Sequence, residues 1–289
     1  MRLRSVCEGA CALLALSAIL ERNVRAEPIG SPPVENSPPV ETKLSYWDQG
    51  NNPRLFVAAR VEAGLYVKPQ ISVGYGKPYW INTSAEVYGI STTSFGAGYA
   101  GIRGTLPFLD LRIGARYTYS YYRSFLLPKQ SYVAEDVSQP AGPLARYPSL
   151  ETELAGVVPA FAGYFFPVVT IYRIVDTPAD RYLFDESLRG VLKPPWIIGL
   201  RLGYVKSFGH DEFIKVGALS ELVLLPGRSD SIVRLGPAAQ VLLTNHLEAI
   251  GTITFVLASP DSLGIWNGPF GVLGLVYRWA TGDLHPAFP

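Results

Sequence analysis

The sequence predicts an all-β fold: an antiparallel, up-and-down transmembrane β-barrel of about twelve strands (range ten to fourteen), preceded by a signal peptide and a Pro-rich linker. Three observations predict it. Long segments alternate an apolar face with a face of glycine, threonine and isolated charges, as in LDLRIGARYTYSYY, residues 109–122. Charged residues make up 17% of the chain, against about 25% in soluble domains, while 17 tyrosines and 28 glycines are plentiful. Tight turns and longer connections also take turns along the chain, as strands that cross and recross a bilayer require.

The chain opens with the basic MRLR and an apolar run from Ala12 to Leu20, and Val24-Arg25-Ala26 suits cleavage after Ala26. The run is far shorter than the roughly 20 residues a membrane helix needs. Residues 1–26 are therefore read as a signal peptide, although Glu8 and Glu21-Arg22 are unusual in one; the alternatives are an uncleaved anchor or a buried helix. Both cysteines, Cys7 and Cys11, fall in this segment, so the exported chain would have no disulfide. Cys11 precedes the apolar run, which argues against a lipoprotein anchor. Cleavage also removes four arginines and two glutamates, leaving a formal charge near −1. Such a chain has no basic surplus for a nucleic-acid backbone, and that class of partner is excluded.

Residues 27–53 form a Pro-rich linker with a near-repeat, SPPVEN then SPPVET, whose paired prolines favour extended chain without a core. Residues 54–282 form the barrel and 283–289 a short tail. The predicted strands are 54–67, 70–76, 79–91, 93–106, 109–123, 149–158, 161–175, 196–208, 212–225, 231–244, 246–258 and 268–280. In this parse the longer connections 124–148, 176–195, 226–230 and 259–267 share one side, and turns near Lys77-Pro78, Pro107, Pro159, Gly209 and Asn245 share the other. Short turns at Pro69 and Thr92 fit the rule less well. One stretch competes: Leu154 to Tyr172 carries no charge and reads as a membrane helix, a reading that Pro159 and Pro167 oppose.

A soluble sheet also alternates, but its wet face would be rich in Lys and Glu. Here that face holds small residues and sparse charges, which suits a crowded polar interior. The register turns Arg60, Arg112, Arg116, Arg201, Lys215, Arg234 and Arg278 inward, with Glu62, Glu86, Asp110, Glu153, Glu221, His246 and Glu248. In 109–122, Leu109 to Ala115 should face lipid and Tyr117, Tyr119 and Tyr121 should approach an interface.

The last strand, VLGLVYRWATG, places Gly274, Tyr277 and Trp279 in the order G-x-x-aromatic-x-aromatic. This resembles the C-terminal assembly signal of Gram-negative outer-membrane β-barrels. The resemblance implies a location in the outer membrane of a Gram-negative-type bacterium, with membrane lipid and the outer-membrane assembly machinery as partners. It also implies that this strand inserts last and pairs with the first. The chain departs from the pattern because residues 280–289 follow the aromatic.

The residues give little support to catalysis. The histidines His210, His246 and His285 have no His or Cys partner at ligand spacing, so no metal or cofactor is expected. The glycines of GAGYAGIRG do not join a strand to a helix and are read as barrel wall. Barrel phospholipases, which the chain resembles in size, and barrel lipid A deacylases typically carry His-x-Ser, and neither His246-Leu247-Glu248 nor His210-Asp211 does. The leading expectation is a pore or passive channel whose Arg/Glu-lined lumen passes small solutes. The alternatives are a closed barrel acting through its outer loops, 124–148 and 176–195, and a lipid-acting enzyme.

Overall fold

The computed structural model describes residues 53–138, 142–209, 213–264 and 270–281, all within the compact unit Leu44–Pro289. The predicted leader, almost all of the linker, the tail 283–289, and His210, Asp211 and His285 lie outside the described residues.

Twelve antiparallel strands close into a ring. In order round the wall they are β1 (Arg54–Gly64), β2 (Val67–Lys77), β3 (Ile81–Ser91), β4 (Phe95–Leu106), β5 (Leu109–Ser124), β6 (Leu144–Gly156), β8 (Gly163–Ile174), β11 (Trp196–Phe208), β12 (Ile214–Leu225), β13 (Asp230–Leu242), β14 (Leu247–Ile253) with β15 (Phe255–Ala258), and β16 (Phe270–Ala280). The segments β14 and β15 together make one wall strand, interrupted at Thr254. A three-residue piece, β7 (Val158–Ala160), extends β6 along β8. Closure is by β1 on β16, in register from Ala58↔Ala280 to Gly64↔Gly274, so no wall edge is left unpaired. At that seam Gly64 and Gly274 are opposite each other, and a Cβ on Gly274 would stand 2.4 Å from the Ala63 carbonyl oxygen. The seam needs glycine there because the two backbones meet too closely for a side chain.

The connections after β5, β8, β12 and β15 share one end of the barrel, the loop end, and those after β2, β4, β7, β11 and β13 form the turn end. The wall therefore follows the predicted order, with four differences in detail. The predicted turn at Pro69 is instead a position inside β2, and the turn lies at Leu65–Tyr66. Proline cannot donate to a ladder, and the β2–β3 pairing lapses at Lys68 and Pro69, jumping from Val67↔Ser91 to Gln70↔Tyr88. The same logic places Pro167, just past the last β6–β8 pair at Ala155↔Val168, and Pro237, between the β13–β14 and β13–β15 pairings. Next, β4 starts at Phe95, because the Thr92 hydroxyl accepts from the Ser94 and Phe95 N–H groups and folds 92–94 into a turn. Third, β6 begins at Leu144, five residues before its predicted start at 149. Fourth, the loop 176–195 contains a small hairpin, β9 (Leu183–Asp185) with β10 (Gly190–Leu192), that is not hydrogen-bonded into the wall sheet. The connection between β5 and β6 carries a single helical turn, α1 (Ala134–Ser138). The apolar stretch 154–172 is no helix: it forms the end of β6, β7 and β8, turned by Phe161 and Ala162 at φ 51° and 56°. Among the described residues, no helix is long and apolar enough to cross a membrane.

The two faces of the wall are sorted as the alternation requires. Along β5, Leu109, Leu111, Ile113, Tyr117, Tyr119 and Tyr121 point out and are exposed, while Asp110, Arg116, Thr118 and Ser120 are buried inside. Outward aromatic residues gather at both ends: Tyr117, Tyr119, Tyr121 and Trp196 at the loop end, Phe108, Phe161, Tyr277 and Trp279 at the turn end. Two aromatic girdles around an apolar band about 25 Å tall are the outer form of a membrane barrel. A cation in mid-band is the sharpest check. Ile113→Arg should cost about 2–4 kcal/mol, read as a lowered urea midpoint for the chain unfolding from phosphatidylcholine vesicles.

Candidate functional site

The lumen is the candidate site, and it is built from charge pairs that the strand register sets side by side. Near the middle of β3, Glu86 accepts 2.8 Å from Gln70 Nε2 and lies 3.9 Å from Arg103 and 3.8 Å from Arg112. Arg103 and Arg112 are direct cross-strand neighbours, a like-charge pair held by surrounding carboxylates. Arg103 Nε donates to Asp110 at 2.8 Å, and Thr105 donates to the same Asp110 oxygen at 2.7 Å. Arg112 reaches Glu153 on the next strand at 3.2 Å and lies over the stacked rings of Tyr88 and Tyr99, whose centroids are 4.4 Å apart.

Other clusters continue round the wall. Glu62 takes ion pairs from Arg60 at 3.0 Å and Lys68 at 3.4 Å, and accepts from Tyr66 at 2.6 Å. Burial and the Glu62 charge push the Tyr66 phenol, in the β1–β2 turn, well above its ordinary range. On the far side, Glu221 sits between Arg201 at 3.1 Å and Arg234 at 2.5 Å, one residue from each of β11, β12 and β13 in a single row. Arg278, on the closing strand, lies 3.8 Å from Glu248, which also accepts from Gln240 at 2.7 Å. Lys215 occupies an inward position near the turn end of β12, opposite Gln240. His246 lies in the turn before β14, exposed, with Nδ1 3.0 Å from the Arg278 carbonyl oxygen and its ring against Tyr277. Its ring is thus at the barrel rim, two residues short of the inward-facing Glu248, because β14 begins only at Leu247. Gly274 faces inward at the seam, and Tyr277 and Trp279 face outward.

Toward the loop end the polar lumen gives way to a cap made by the 175–195 connection. Asp185, 2% exposed, accepts from Tyr147 at 2.8 Å and from Ser187 Oγ at 2.6 Å, and lies 3.9 Å from Arg116. Arg116 pairs with Glu151 at 2.6 Å and donates to Ser187 at 3.1 Å, and Arg234 donates to the Leu188 and Arg189 carbonyls at 2.7 and 3.0 Å. Leu183, Leu188 and Leu192 then pack with Tyr147, Tyr172, Ile174, Ile197, Val223, Leu225 and Ile232 of the inner wall. A second cluster joins Phe184 and Val191 to Leu126, Tyr132, Val137 and Leu263 from the neighbouring connections.

Two buried arginines tie these connections together. Arg123 binds Glu186, donates to the Val137 carbonyl at 2.6 Å and lies 4.4 Å from the Phe184 ring centroid. Arg228 holds Asp261 through both guanidinium nitrogens at 2.6 and 2.8 Å and also donates to the Val191 and Gln130 carbonyls. Burial pushes the Tyr132 phenol up to about 12, and the Lys129 ammonium holds the Asp136 carboxyl below its ordinary value.

Strand alternation could have revealed Glu151, which shares the parity of the inward Glu153 on β6, and Arg103, which alternates with the outward Ile102 on β4; Lys68 lies between two predicted strands and carries no such signal. Asp185 and Tyr147 carried no such signal, because the partner of one lies in a connection without periodicity. Among the described residues, no cluster of three or more His, Cys, Asp or Glu could hold a metal ion.

Among solved structures the chain is similar to BamA from Haemophilus ducreyi lacking POTRA domains 1–3, at 8% identity and a TM-score of 0.34, over 81% of this chain and 71% of that one. No protein-family model and no curated protein matches the chain. Its closed ring of twelve antiparallel strands, apolar outside and polar inside, is by itself the fold of an outer-membrane-type β-barrel.

The Arg116 cluster gives a direct prediction. Arg116→Ala strands the buried Glu151 and Asp185 carboxylates and should cost about 3–5 kcal/mol in urea unfolding. Arg116→Met combined with Glu151→Met should recover most of that loss, because the pair then leaves no uncompensated charge.

Proposed function

We propose that the chain resides in the outer membrane as a barrel closed in its resting form, acting through its outer surface rather than as an open conduit. The observation that carries this reading is the buried Asp185, which fixes the 175–195 connection inside the loop end through Tyr147, Ser187 and Arg116. An apolar seal of Leu183 and Leu192, both 0% exposed, lies beside it. Among the described residues, the outer surface left to meet a partner is then formed by the 125–138, 175–195, 226–229 and 259–264 connections.

The pore reading stands second, and one feature favours it. The Arg60, Arg103 and Arg201 side chains keep 28%, 23% and 37% exposure, so the polar lumen retains accessible cations away from the cap. Small anions or neutral solutes would be its cargo. Assembly-machinery recognition of Gly274, Tyr277 and Trp279 belongs to the same outer-membrane proposal and is supported by the position of β16 at the closing seam. A lipid-acting enzyme has the least support, since His246 is engaged by a backbone carbonyl and the Tyr277 ring.

One experiment separates the two main readings. In planar bilayers the full chain should give no steady conductance, and deleting residues 183–192 should produce discrete openings. Steady openings from the unmodified chain, unchanged by the deletion, would establish the pore and overturn the closed reading.

A further inference from the structure

Charged residues on the outward face of the wall are few, and their placement is ordered. By strand alternation, among the described strand residues and leaving aside Arg123, which is buried against Glu186 at the end of β5, they are Lys77 on β2, Arg146 on β6, Arg173 on β8 and Lys206 on β11. All four are cations, none lies in the middle of its strand, and no carboxylate shares that face. Lys77 and Lys206 stand at the turn end, where long side chains can reach toward water. Arg146 and Arg173 stand at the loop end on adjacent strands.

These two arginines differ from those of the lumen. Both are exposed, and neither meets a carboxylate among the described residues. Each is set instead among outward aromatic rings. Arg173 pairs across the ladder with Trp196, and its guanidinium carbon lies 5.4 Å from that ring's centroid. Arg146 pairs across the ladder with Tyr119, whose ring packs edge-on against Tyr121 at 5.5 Å. Arginine on a lipid face is tolerated near the interface and costly at the midplane, so the pair also marks where the apolar band ends. At that level an unpaired guanidinium meets lipid headgroups, and its fork of N–H donors matches phosphate oxygens bidentately.

We propose that Arg146 and Arg173, with Trp196 and Tyr119, form a binding site for the phosphate-bearing headgroup of an outer-leaflet glycolipid. This rests on the outer-membrane reading but is independent of whether the lumen is open or closed. The rings seat the acyl-proximal part of the lipid, and the two guanidiniums, four residues apart along neighbouring strands, bracket its phosphates. Charge complementarity selects an anionic lipid over a zwitterionic one.

The test uses the full chain inserted in phosphatidylcholine vesicles, with insertion read as protease resistance, and a fluorescent bis-phosphorylated lipid A as probe. The chain should bind the probe, and the double variant Arg146→Gln, Arg173→Gln should bind it about 30-fold more weakly, about 1 kcal/mol for each basic group removed. Dephosphorylated lipid A should compete as poorly against the unmodified chain. The double variant Lys77→Gln, Lys206→Gln should bind the probe as the unmodified chain does. Equal binding by the arginine variant, equal competition by the dephosphorylated lipid, or displacement of the probe by millimolar inorganic phosphate alone would overturn the site while leaving the membrane reading intact. A chain that never becomes protease-resistant in vesicles would overturn both.

Discussion

Everything in this barrel depends on the parity of its strands. Side chains alternate between faces with a period of two residues, so a slip of one residue exchanges the whole inner set for the whole outer set. In β5 that exchange would carry Asp110, Arg112 and Arg116 to the outside and Leu109, Leu111 and Ile113 into the lumen. Two arginines in a lipid-facing band would cost several kcal/mol, and their partners Glu153 and Glu151 would be left buried without counter-charge. The ring closure adds a second lock. Because β16 pairs with β1 residue for residue from Ala58 to Gly64, a slip anywhere in the wall must be absorbed at a seam where two glycine backbones are nearly in contact.

The ion pairs of the lumen follow from that parity more than they drive it. Desolvating charges is expensive, and the pairs recover that cost only through good geometry. Their contribution is specificity: Arg201, Glu221 and Arg234 occupy one row in three successive strands, and the row exists in a single register. The 183–192 hairpin uses the same chemistry at the loop end. Arg116 and Arg234 each bind a wall carboxylate on one side and the hairpin on the other, so the network that fills the barrel also holds its cap.

The wall was legible in the sequence because alternation is a local property, and every wall strand was found within a few residues of its ends. Proline is ambiguous for a physical reason: the sequence predicts a turn at Pro69, whereas an antiparallel wall tolerates proline wherever the ladder on one side lapses. The inward charges were legible for the same reason as the strands. His246 was not, since its position depends on where a turn gives way to β14. The cap was not legible either. Leu183, Asp185, Leu188 and Leu192 lie in a connection with no periodicity, and their burial is determined by Tyr147, Arg116 and Arg234 on strands distant in sequence.

A membrane barrel requires one parity of each wall strand to face lipid and the other an enclosed polar lumen. Spin labels on single cysteines, introduced after Cys7 and Cys11 are replaced by serine, test it directly in phosphatidylcholine vesicles. Labels at the outward Ala85, Ile113 and Leu235 should be relaxed strongly by oxygen, which partitions into lipid, and weakly by a water-soluble nickel chelate. Labels at the inward Ser84, Ser120 and Ser149 should show low oxygen accessibility. Equal relaxation of the two parities, or outward labels reached by the nickel chelate as readily as by oxygen, would contradict the account.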